Sequence, residues 1–284
     1  MNAQSHTPSR RFRLYLTLCI FVPVFLAAGL MTVAFFTQFD TPTANYFRRG
    51  AALPVIAGVF AGLAALVGTV AAVRYPKKSL AGDSLPIPNA ALPEVIGFLS
   101  AAAFLVISIV QDGFEVLRLV PLILSLFAAV YALVLSLGDI SREKVRNFAA
   151  PLGFVPVFAL IFLYANHYFD RTVEMNAPEK TFLMLGLLTA AISFTGELRY
   201  LIGSAGPRAY LMLLSWTVAA GALCIPAIPA AHFFRILTKT DYVASSFAVL
   251  GCFLTSCLRL FVLLNFNTDA PAAPPDAPDQ EQDA

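Results

Sequence analysis

The chain reads as long apolar runs separated by short polar breaks. The runs are Leu14–Phe39, Ala51–Val73, Leu92–Val110, Leu117–Leu137, Phe148–Ala165, Thr181–Gly203, Ala209–Phe234 and Val243–Phe266. Each is near the length of about 20 residues that an α-helix needs to cross a bilayer. Backbone in hydrocarbon must satisfy its own hydrogen bonds, which leaves helices and closed barrels. Barrel strands alternate polar and apolar positions over about ten residues. These runs are continuous, so they predict helices. The expected fold is all-α, a polytopic transmembrane bundle of about eight spans. Two runs are weaker than the rest: the fifth is short and holds Pro151 and Pro156, and the seventh holds Pro226 and Pro229. Proline removes a backbone donor and kinks a helix, so seven spans is the alternative.

Composition agrees with the pattern. Of 284 residues, 58% are hydrophobic and 13% charged, with a mean hydropathy of +0.75. Soluble domains carry about 25% charged residues, so this chain's apolar surface must face something other than water, and the partner it implies is the lipid bilayer. A net charge of +2 and the lack of a basic, aromatic-rich patch argue against nucleic acid. Cys19, Cys224, Cys252 and Cys257 all fall within apolar runs, where thiols act as small hydrophobes. No Cys/His spacing supports a metal site or cofactor.

The flanks divide the chain into residues 1–13, a basic N-terminus; 14–266, the bundle; and 267–284, a tail. Arg10, Arg11 and Arg13 precede the first run as they would in a signal peptide. That run is longer than the roughly 7–15 residues of a signal core and is read as an uncleaved span. The tail, NTDAPAAPPDAPDQEQDA, has no apolar period to bury and is expected to be disordered. Counting Lys and Arg at alternate ends places eleven on the side of the N-terminus and seven on the other, with Arg259 inside the last run. The positive-inside rule then puts both termini in the cytoplasm, although Arg48 and Arg49 oppose it.

Short matches suggest an internal repeat. Phe39-Asp40 follows the first run and Phe169-Asp170 the fifth; Arg74-Tyr75 closes the second and Arg199-Tyr200 the sixth. Two four-span halves would lie parallel, as repeats do in some transporters. The alternative is coincidence between apolar helices with similar boundary residues.

Ionisable residues inside a span are costly and often functional. Glu197 and Arg259 each lie sixteen residues beyond the outer start of their runs, at Thr181 and Val243. Both runs point the same way, so the two charges sit at one depth and form a candidate intramembrane ion pair. Separate snorkelling to the headgroups is the competing expectation. Glu94 opens the third run, where the helix dipole favours an acid. Asp112, Glu115 and Arg118 are expected in a solvated outer turn. The segment from Asn166 to Lys180 is the most polar outer loop. Its His167, Asp170 and Glu174 could in principle hold a metal, but their spacing matches no ligand template, and a solvated loop with interfacial aromatics is preferred.

Catalytic templates do not match. Gly203-Ser204-Ala205-Gly206 lacks the order of a nucleophile elbow. Neither HExxH nor a phosphate-binding loop occurs. Phe169-Asp170, Met175-Asn176-Ala177-Pro178-Glu179-Lys180 and Glu197-Leu198-Arg199 resemble a pattern in bacterial multi-pass membrane proteins with no assigned activity. That resemblance implies location in the cell membrane, the bacterial inner membrane, and no activity. The favoured reading is a non-enzymatic membrane protein: a subunit, sensor or structural component. A small-solute transporter or permease is the alternative, and an intramembrane enzyme comes third.

Overall fold

A computed structural model describes residues 10–40, 46–74, 88–137, 151–171, 177–201, 207–224 and 240–265. Eight helices carry these segments: α1 (Arg10–Thr37), α2 (Ala52–Arg74), α3 (Leu92–Asp112), α4 (Val116–Ser136), α5 (Phe154–Phe169), α6 (Pro178–Leu201), α7 (Pro207–Cys224) and α8 (Thr240–Asn265). Six of them, α1 to α4, α6 and α8, are long and apolar enough to cross a membrane. The shorter two are α5 and α7, which correspond to the fifth and seventh runs, the two expected to be weaker. Pro226, Pro229 and the tail from Asn267 lie outside the described residues. The protein is a multi-pass helical membrane protein.

The helices bury small residues and turn large ones outward. In α2 the buried positions are Ala57, Ala61, Ala64, Ala65, Gly68, Ala71 and Ala72. Val55, Val59, Leu63, Leu66, Val70 and Val73 form the opposite, exposed stripe. In lipid, large apolar side chains need no burial, and close helix packing is gained through small ones. Gly68 faces Ser215 of α7, which leaves no room for a side chain between the two backbones.

Helix α8 is the hub. It touches α1, α3, α5, α6 and α7, and its buried side includes Val243, Ser246, Val249, Cys252, Ser256 and Arg259. The others follow one another around it, α1 against α2, α2 against α7, then α6, α5, α4 and α3. The closest crossing joins α3 to α8. A Cβ on Gly97 would lie 2.8 Å from the Gly251 Cα, and one on Gly251 would lie 2.6 Å from the Pro93 carbonyl. Only glycine allows that approach.

Successive helices alternate in direction. Thr17 near the start of α1 accepts a hydrogen bond from Asn265 at the end of α8 (3.1 Å). At the other end Thr240, opening α8, donates to Gln111 near the end of α3 (3.0 Å). The end with the start of α1 is called the near end below, and the opposite one the far end. A short pairing of Phe39 with Phe47 brings both rings onto Phe35, Phe39 stacked at 5.0 Å and Phe47 edge-on at 5.1 Å.

The packing does not display a duplication. Exchanging two equivalent halves would require α3 to meet α6 as α2 meets α7. Among the described residues α2 and α7 share a long interface, while α3 and α6 approach through Phe98 and Phe194, with ring centroids 6.1 Å apart.

Candidate functional site

The near half of the bundle encloses a charged cluster built from five helices. Arg259 follows Gly251 by two turns on the buried face of α8. Its guanidinium Nη1 donates to Glu197 Oε2 of α6. The same nitrogen lies 3.9 Å from Glu94 Oε1 of α3 and donates to the Tyr210 hydroxyl of α7 at 3.4 Å. Tyr131 of α4, itself buried, lies within electrostatic reach of all three charged groups. Glu94 and Glu197 are each 3% exposed and Arg259 is 2% exposed, so the cluster is sealed by packing.

The structure therefore brings together Glu197 and Arg259, the pair that depth alone places side by side. Glu94 does more than its position in the sequence indicates. It does occupy the first turn of α3, where an acid suits the helix dipole. Its carboxyl, however, is buried and faces Arg259, because the Gly97–Gly251 crossing draws the start of α3 onto α8. Tyr210 and Tyr131 escape sequence reasoning, since a tyrosine near a span end reads as an interfacial anchor. The available signal was position: both lie toward the same end as Glu197.

Hydrogen bonding in the cluster is incomplete among the described residues. Glu94 Oε2, Glu197 Oε1 and Arg259 Nε are buried without a close partner. The Thr255 hydroxyl, one turn along α8 from Gly251, faces the Glu94 carboxyl in a loose hydrogen bond. Buried polar groups left unmatched cost about 1–3 kcal/mol each, more when charged.

The far end holds a second polar layer. His167 sits in the last turn of α5 and is 1% exposed. Its Nε2 shares a 2.6 Å hydrogen bond with the Ser245 hydroxyl, and its ring lies 4.5 Å from that of Tyr242. The expected solvated loop is thus wrong at its edges: Asn166 and His167 belong to a helix and are buried, and so is Lys180. The Lys180 ammonium donates to the Asp170 carbonyl at 2.7 Å. Glu174 lies outside the described residues. No three His, Cys, Asp or Glu side chains among the described residues converge as metal ligands would. Arg118 is also more enclosed than expected. It bridges Asp112 (3.4 Å), Glu115 (3.8 Å) and Asp241 (3.2 Å), tying the start of α4 to the start of α8.

No protein-family model, curated protein or solved structure matches the chain.

Proposed function

We propose that the chain is a non-enzymatic protein of the bacterial inner membrane, a subunit, sensor or structural component, with both termini cytoplasmic and the lipid bilayer as its immediate partner. The supporting observation is the enclosure of the cluster. Arg259 is engaged by Glu197 and Tyr210, and the three charged residues are at most 3% exposed. A reacting or transporting group must meet its substrate, whereas a packed, sealed ion pair fixes helix positions, the specifying role known for some buried polar groups. The resemblance of Phe169-Asp170 and Glu197-Leu198-Arg199 to bacterial multi-pass proteins supports the location, and the basic residues of the N-terminal side support the orientation.

Cys252 tests this reading, because its thiol is buried beside Glu94, Glu197 and Arg259. Cys19, Cys224 and Cys257 are replaced by alanine, and the purified protein is exposed to a small, charged thiol reagent. The structural reading expects no labelling until the protein is unfolded. Rapid labelling of the native protein would reveal a water-filled path to the cluster and shift the assignment to a small-solute transporter. The unmatched carboxylate oxygens are the one feature that favours that alternative, since intramembrane acids commonly mark ion paths.

A further inference from the structure

We infer that the Glu94 side of the cluster carries a compensating monovalent cation, either a proton or an alkali-metal ion the size of sodium. The argument begins with charge. Two carboxylates face one guanidinium, and the guanidinium donates to Glu197. Glu94 reaches it only at 3.9 Å. Ionised and unaccompanied, the cluster would hold a net negative charge inside a membrane bundle, where uncompensated charge is strongly disfavoured.

Among the described residues, the groups that act on Glu94 bring no positive charge beyond Arg259. They are Arg259 and Thr255 of α8 and Glu197 of α6; Cys252 of α8, Tyr210 of α7 and Tyr131 of α4 lie within its electrostatic reach. The short turn before α3, Pro88–Ala91, holds no titratable side chain. The tyrosines can donate hydrogen bonds but bring no charge.

Geometry then locates the cation. Glu94 Oε2 and Glu197 Oε1 are buried oxygens without a close hydrogen-bond partner among the described residues, and the Thr255 hydroxyl faces the Glu94 carboxyl within hydrogen-bonding reach. Oxygen is the donor that hard cations take. Gly251 lets the backbone of α8 close against the start of α3: a Cβ there would lie 3.1 Å from the Glu94 Cα. Thr255 stands one turn farther along the same face of α8, beside the Glu94 carboxyl. A proton needs only one of these carboxylate oxygens; a sodium-sized ion needs several of the oxygens together.

The inference goes beyond the structural reading and is tested at a different residue. Full-length protein in lipid nanodiscs is melted across a pH series at fixed salt, and across a sodium chloride series at fixed pH with choline chloride holding ionic strength. Occupancy stabilises the native bundle, so the melting temperature rises with the cation that fills the site, by roughly 3 °C per tenfold increase above its dissociation constant. For a proton, the wild-type infrared spectrum shows a protonated-carboxyl band that is lost in Glu94→Gln and moved in Glu94→Asp. For sodium, the melting temperature follows sodium in wild type, the effect disappears in Glu94→Gln, and Thr255→Val raises the sodium requirement about tenfold, the weight of one lost ligand. Neither a protonated-carboxyl band nor a sodium response in wild type would overturn the inference. So would a response that persists unchanged in Glu94→Gln, or, where that variant does not fold, one that Glu94→Asp leaves unaltered.

Discussion

At the residue scale, two buried polar layers, one toward each end of the bundle, join helices distant in sequence. The far layer gives a simple test. His167 and Ser245 are both buried and share one hydrogen bond. Ser245→Ala removes the hydroxyl and this buried hydrogen bond, which contributes about 0.5–1.5 kcal/mol. Thermal melts in detergent should show a lower melting temperature, by several degrees. An unchanged melt would mean that the histidine finds another partner. Equal depth along parallel spans made Glu197 and Arg259 legible in the sequence. Glu94 was legible only as a helix-start acid, because its burial depends on which helix crosses α3. His167 and Lys180 were misread for a related reason. A polar residue beside a loop looks solvated until a second helix covers it.

At the element scale, spans were readable from continuous apolar length, while contacts between them were not. Every face of a membrane helix is apolar, so periodicity does not distinguish core from lipid. The distinction lies in side-chain size, with the Ala and Gly positions of α2 inward and its Val and Leu positions outward. The closest crossing follows the same logic and can be tested. A Cβ at Gly251 would meet the Pro93 carbonyl at 2.6 Å, and backbone cannot step aside as a flexible side chain can. Gly251→Ala and Gly97→Ala should each destabilise by about 1–3 kcal/mol, the usual cost of overpacking. Gly58→Ala and Gly62→Ala meet nothing within 4 Å and should hold or raise stability, since alanine favours a helix over glycine by up to about 1 kcal/mol. Equal losses at all four glycines would contradict the crossing. The suspected repeat had no such physical anchor. Its matches lie at helix boundaries, and boundary residues do not determine which helices pack together.

At the scale of the whole molecule, orientation and the locking of the helices can be measured separately. Reporter fusions at Ala284 and between Asn166 and Lys180 should report a cytoplasmic C-terminus and a loop on the opposite side; the reverse would overturn the charge-based orientation. Deleting Asn267–Ala284 should leave membrane yield unchanged, since the tail has no apolar face to bury; a large loss would show that it packs on the bundle. The central claim is that a sealed ion pair between α6 and α8 holds the bundle together. Its most direct test is a double-mutant cycle on thermal stability with Glu197→Gln, Arg259→Gln and the two combined. Removing Arg259 leaves buried carboxylates uncompensated, at about 3–5 kcal/mol, whereas removing Glu197 leaves the guanidinium only the more distant Glu94, at 3.9 Å. The account predicts that the double variant is less destabilised than the sum of the singles, and milder than Arg259→Gln alone. Additive single effects would mean that the two groups do not act on each other, and would contradict it.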